Sequence, residues 1–149
     1  MQMDVLAEYG YIGLFMASFL AATILPFSSE VVLIFLLLNN HDPFLCITVA
    51  TAGNVLGSVL NYALGFRGSF LIMERLLRLS KEEIARSEQR FKKYGVFSLL
   101  FAWVPIIGDP LTVAAGVVKI NIYVFLSLVT AGKLFRYIIV SMSTLSLMV

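Results

Sequence analysis

Apolar residues dominate four stretches of the chain, and breaks in two of them decide how the stretches are read. Residues 9–39 are apolar but interrupted at Pro26, and residues 44–66 run unbroken. Residues 94–120 are interrupted between Pro105 and Pro110, and residues 122–149 are apolar apart from Lys133 and Arg136. A helix over residues 28–39 would rise only about 18 Å, against a hydrocarbon core of about 30 Å. The arms at 94–104 and 111–120 are similarly short. None of the three crosses a bilayer alone, so each broken stretch is expected to turn inside the membrane as a re-entrant hairpin. The first arm, residues 9–25, nearly spans, while residues 44–66 and 121–143 are long enough to span fully.

Between the halves the pattern changes. Phe70, Met73, Leu76, Leu77, Ile84 and Phe91 recur at helical spacing among Arg75, Arg78, Arg86 and Arg90. That predicts one or two amphipathic helices lying on a membrane face. Ser80-Lys81-Glu82-Glu83 reads as a helix cap with acids in the first turn.

Composition makes the membrane reading firm. The chain has 149 residues, is 60% hydrophobic and only 13% charged, and the charge is clustered. Eight of the eleven basic residues fall in 67–93. The positive-inside rule puts that connector in the cytoplasm. The second hairpin then opens from the cytoplasmic side and the first from the opposite side, with their tips near the midplane. The predicted fold is an all-α integral membrane domain over 1–149. It has two inverted repeats (9–66 and 94–143), each a proline-broken hairpin followed by a full span, joined by the amphipathic connector 67–93. The net charge of +2 reflects this topology, and no nucleic-acid partner is expected.

The two halves repeat one another. Leu25-Pro26-Phe27-Ser28-Ser29-Glu30 answers Val104-Pro105-Ile106-Ile107-Gly108-Asp109, each with a carboxylate four residues after a proline. The same interval then separates Glu30 from Gly53 and Asp109 from Gly132, with Asn54 and Lys133 next to those glycines. Helix breakers and carboxylates at matching positions of two apolar halves mark the substrate sites of repeat-built transporters. A carboxylate at the bilayer centre costs about 2.5–3.5 kcal/mol, so it persists where it is paired, hydrated or functional. The bland alternative is that Glu30 and Asp109 merely cap the second arm of each hairpin. Pro26, Ser28, Ser29, Pro105, Gly108 and Pro110 are read as the hairpin breaks.

Lys133 and Arg136, one turn apart with Tyr137 alongside, share a face of the last helix. Two such cations are expected to face inward and pair with Glu30, Asp109 or an anionic head group; a purely structural ion network is the competing account. Gly53 and Gly57 form a small-residue face on the first span, read as helix packing or as a homodimer contact. Gly116 and Gly132 are assigned to packing. Asn54, Asn61 and Tyr62 could line a pathway or bridge helices. Trp103 is packing or a lid; His41 and Cys46 receive no role.

One cysteine and one histidine exclude an intrachain disulfide and a multi-histidine metal site. There is no Gly-rich phosphate loop and no Gly-x-Ser-x-Gly elbow. The expectation is a non-enzyme without metal or cofactor.

The ordered set Pro26-Phe27-Ser28-Ser29-Glu30, Gly53-Asn54-Val55-Leu56-Gly57, Tyr94-Gly95, Pro105-Ile106-Ile107-Gly108-Asp109, Ala115-Gly116 and Gly132-Lys133-Leu134-Phe135-Arg136-Tyr137 resembles the DedA family, also called the VTT or SNARE-associated Golgi domain, in its short YqaA-like branch. The resemblance implies two opposed re-entrant hairpins in the bacterial inner membrane and transbilayer movement of lipids, polyprenyl phosphates or phospholipids, in some members dependent on the proton gradient. By motif, Glu30 matches the family's acidic residue after the first hairpin proline. Typical members carry an arginine on each side of the second hairpin proline. Here those places are apolar or small, and the basic pair stands at Lys133 and Arg136 instead. The expected function is a lipid transporter or scramblase for an anionic lipid, with protons as candidate coupling ions. Two other readings stay open: a non-transporting factor for envelope integrity or assembly, and a proton-coupled carrier of a small solute or cation.

Overall fold

The computed structural model describes residues 2–23, 29–68, 80–104 and 107–147, with side chains from residue 9 onward. Its elements are α1 (Gln2–Ala21), α2 (Ser29–Leu38), α3 (Pro43–Phe66), α4 (Lys81–Tyr94), a 3-10 segment (Gly95–Trp103), α5 (Gly108–Val117) and α6 (Ile122–Ser146). The described residues contain no strand, as expected of an all-α chain. Pro26, Ser28, Pro105, Phe70, Met73, Leu76 and Leu77 lie outside the described residues.

Local chemistry sets the ends of the long helices. Asp42 precedes α3 in extended conformation and accepts from Leu45 N–H at 2.8 Å, and Pro43 fills the first turn, where no N–H is needed. Asn121 does the same for α6, accepting from Tyr123 N–H at 2.9 Å. With 24 and 25 residues, both helices are long and apolar enough to cross a membrane. The helix predicted after Ser80 forms with a full capping box: Glu83 N–H donates to Ser80 Oγ, and Ser80 N–H donates to Glu83 Oε2. Ile84, Ser87 and Phe91 make its buried face.

The structure corrects the sequence reading at three places. Pro110 and Gly108 are not a break, because both sit in the first turn of α5, where a proline's missing N–H is harmless. Ser29 likewise opens α2 instead of breaking the chain. The arm after Tyr94 is a nine-residue 3-10 helix, begun where Gly95 (φ 65°) ends α4. Runs this long are uncommon, since 3-10 helices seldom exceed 3–4 residues.

Packing directions follow from the contacts. Gly53 meets Phe15 O and Gly57 meets Ala22, so α1 runs alongside α3 in the same direction. Gly10 meets Leu36 and His41, so α2 returns along α1. Gly65 meets Val113 O and Gly116 meets Tyr62 O, which brings α5 onto the far end of α3. The small-residue face at Gly53 and Gly57 is thus covered by α1 of the same chain, which removes it as a homodimer contact. Asn61 joins both sides, donating to Ala22 O at 2.7 Å and to Thr112 Oγ1 at 3.1 Å.

Equivalent positions carry equivalent geometry. Asn40 and Lys119 both end their helices in the left-handed region, φ 58° and 57°, each inside a Schellman cap. Each is followed by the capping residue of a long helix, Asp42 and Asn121 respectively.

Two large apolar clusters result, one around Leu14, Leu33, Leu37 and Cys46, the other around Tyr62, Leu99, Leu111 and Phe125, and a small third joins Ile84 to Val113. The outer surface is apolar as well, with Phe35, Phe44, Phe97, Phe135 and Met142 exposed. A water-facing surface would carry charge at such places.

Candidate functional site

The polar residues of the apolar halves converge on α6. α6 brings Lys133, Arg136 and Tyr137 to one face, because i, i+3 and i+4 lie together on a helix. Lys133 is 4% exposed and Tyr137 1%, so both point into the protein. α2 presents Ser29 and Glu30 from its first turn, and α5 presents Asp109 from its own. Both carboxylates therefore sit at helix N-termini, where the backbone dipole favours negative charge.

Arg136 pairs with Glu30, and its Nη1 donates to the Trp103 carbonyl at 3.0 Å. The guanidinium therefore links α2, α6 and the 3-10 segment. Lys133 donates to Asn54 Oδ1 on α3, and Asn54 Nδ2 donates to the Tyr137 hydroxyl at 2.9 Å. Tyr137 and Ser29 share a further hydrogen bond at 2.7 Å. The Asp109 carboxylate lies within electrostatic reach of Lys133 and Arg136. Two cations and two carboxylates thus occupy one site, joined by a relay from Lys133 through Asn54 and Tyr137 to Ser29.

Lys133 is buried and Arg136 is partly buried. Arg136 takes Glu30 as its partner, whereas Lys133 takes the Asn54 amide. Gly132 fits its packing role: a Cβ there would fall 2.9 Å from Leu100 O and 3.4 Å from Trp103 Cδ1. Gly108 lets the arms of the second half meet, since its Cβ would fall 2.1 Å from Ala102 O. Sequence reasoning missed the Trp103 carbonyl, which no side-chain pattern marks. It also missed Ser18 and Thr112, both fully buried. Small polar residues isolated in an apolar helix were the available signal for those two.

Arginine is suited to such a place because its planar fork can trade one oxyanion for another without losing charge. The site can thus hold an anion at Arg136 with Lys133 behind it, or stay closed on Glu30.

Comparison with known proteins gives the chain a family. The VTT domain matches residues 5–145. Inner membrane protein YqaA of Escherichia coli is 35% identical over 133 residues, covering 89% of each chain. An alkaline phosphatase-like protein of Lactococcus lactis subsp. cremoris is 31% identical over 144 residues, covering 88% of this chain and 67% of the relative. Membrane protein YbfM of Bacillus subtilis is 22% identical over 137 residues, 87% of this chain and 85% of the relative. No solved structure matches the chain. With the family matching nearly end to end and two long apolar helices available, the chain belongs to the VTT-domain, or DedA, family of membrane proteins.

Proposed function

We propose that the chain is a multi-pass transporter or scramblase of the bacterial inner membrane, moving an anionic lipid, a polyprenyl phosphate or a phospholipid, across the bilayer. In this reading α1–α2 and the 3-10 segment with α5 are re-entrant hairpins opening from opposite sides, and the connector 67–93 is cytoplasmic. The repeated caps at Asn40 and Lys119, and the antiparallel return of α2 along α1, support the inverted arrangement.

The observation that carries the function is the ion pair between Arg136 and Glu30, held where the two halves meet. An arriving phosphate competes with Glu30 for the Arg136 fork, and Lys133 adds a second positive charge. Glu30 and Asp109 balance the cations when the lipid leaves, and proton uptake by either carboxylate offers a coupling step.

The test is lipid flipping in proteoliposomes for wild type, Glu30→Gln and Arg136→Gln, with head-group-labelled phospholipid and polyprenyl phosphate assayed separately, with and without a pH gradient. Folded mutants without flipping are the expected outcome. Full activity in both mutants would refute the mechanism. The hydrogen-bond relay from Lys133 to Ser29 favours a second reading, a non-transporting factor for envelope integrity or assembly. That reading predicts that single charge removals impair folding, with no flipping by stable wild type. Competition by a small solute, with no lipid movement, would instead indicate a proton-coupled carrier.

A further inference from the structure

The end of the bundle formed by the C-termini of α3 and α5 and the start of α6 holds a groove that the charged network does not use. Its volume is about 520 Å³, and Tyr62, Ala63, Phe66, Ile120 and Ile122 line it beside the exposed cations Arg67 and Lys119. We propose that this groove binds an anionic phospholipid of the cytoplasmic leaflet. Its phosphate lies between Arg67 and Lys119, and the first part of an acyl chain lies against Ala63, Phe66 and Ile122. The side of the membrane follows from the topology proposed above; the binding itself does not depend on transport.

Four observations fit this occupant. Two neutral polar oxygens of the groove are already engaged: Tyr62 OH donates to Ile120 O at 2.5 Å, and Asn121 Oδ1 accepts from Tyr123 N–H. The two cations remain to meet a ligand, beside the Asn121 amide nitrogen, and among the described residues no carboxylate pairs with either. Lys119 occupies the left-handed position of a Schellman cap, where glycine or asparagine is usual, and its counterpart at the other end is Asn40. The backbone thus holds a lysine where its repeat mate has a neutral side chain, and the ammonium lies 5.6 Å from the Phe66 ring centroid, over the groove. Finally, the rim continues into exposed apolar surface, with Phe66 50% and Tyr123 77% exposed, which gives a lipid tail a way in. Paired cations above an apolar channel complement a phosphate on an acyl chain.

The test is native mass spectrometry of the full chain in neutral detergent, titrated with phosphatidylglycerol and with phosphatidylcholine of matched chains. Wild type is expected to prefer phosphatidylglycerol. The double variant R67Q/K119Q is expected to lose about 30-fold of that preference while keeping phosphatidylcholine adducts. Ala63→Trp, which fills the groove, should weaken both lipids, and Lys93→Gln, which removes an exposed cation outside the groove, should leave the preference intact. An unchanged preference in R67Q/K119Q, or an equal loss in Lys93→Gln, would overturn the proposal. So would a dimer that Ala63→Trp dissociates with lipid adducts unchanged, or tighter binding of a glutamate-rich peptide than of phosphatidylglycerol.

Discussion

Adding a single methyl group at Gly116 should damage this protein more than most core substitutions. A Cβ there would fall 2.0 Å from Tyr62 O, 2.7 Å from Phe66 N and 2.9 Å from Tyr62 C. All three are backbone atoms, so no rotamer change relieves the contact. Ordinary van der Waals contact begins near 3.4 Å, and α3 and α5 must separate on the order of 1 Å to restore it. A gap of that size forfeits a quarter to a half of each dispersion contact along the crossing. It also stretches the 3.1 Å bond from Asn61 to Thr112. Overpacking costs about 1–3 kcal/mol in ordinary cores, and a clash against backbone belongs at about 3 kcal/mol. For a chain of this size that lowers the melting temperature by about 6–12 °C. Gly65→Ala should behave alike, since its Cβ would fall 2.1 Å from Val113 O. The double variant should fall short of the sum, because one separation accommodates both methyls. Gly13→Ala is the control: nothing lies within 4 Å of its Cβ, and it should gain up to about 1 kcal/mol in helix propensity. Thermal unfolding in detergent micelles, followed by far-ultraviolet circular dichroism, reads all four. If Gly116→Ala melts with Gly13→Ala, the α3–α5 crossing described here is wrong.

Three further outcomes are expected. Arg136 and Glu30 keep 23% and 13% side-chain exposure, so removing one member should cost less than for a fully buried pair, about 3–5 kcal/mol, and leave a folded protein, and the Glu30→Gln/Arg136→Gln double variant should recover part of that cost; additive unfolding free energies would mean the two side chains do not interact. Tyr137→Phe strips the hydroxyl that joins Asn54 to Ser29 and should cost about 1–3 kcal/mol through the polar groups left behind; an unchanged denaturation midpoint would show that the relay contributes nothing. Ser80→Ala removes the α4 cap and should cost about 1 kcal/mol, read as faster amide exchange at the start of that helix alone; unchanged exchange there would count against the cap.

Much of the fold could be read before any coordinates, because length and apolarity constrain a membrane chain so strongly. The two long helices, the short second arms, the capped amphipathic helix and the inward face of Lys133 and Arg136 all follow from spacing. The errors have physical causes. Proline marks a chain break and a first helical turn equally well, so Pro110 was assigned to the wrong side of the boundary. The conformation of residues 95–103 was beyond reach because an apolar run has no periodicity that separates a 3-10 helix from an α-helix. The Asn54 partner of Lys133 was beyond reach because charge counting favours carboxylates, whereas the register of α3 against α6 also delivers an amide. Gly53 and Gly57 lie against α1, but a small-residue stripe in a sequence does not say whether its partner is the same chain or another copy.

Asn54 gives the order of synthesis a consequence. Its two partners, Lys133 and Tyr137, lie 79 and 83 residues further along the chain. At about 5–20 residues per second, Asn54 is made roughly 4–17 s before those side chains. During that wait Asn61 can already bond Ala22, which precedes it by 39 residues, while Asn54 has nothing of its own network to hold. The nascent first half therefore enters the bilayer with an open amide at its middle, and only the last helix closes it. Release from the insertion machinery before α6 has emerged would leave that amide facing lipid, so a truncated or stalled chain should be a preferred substrate for membrane quality control.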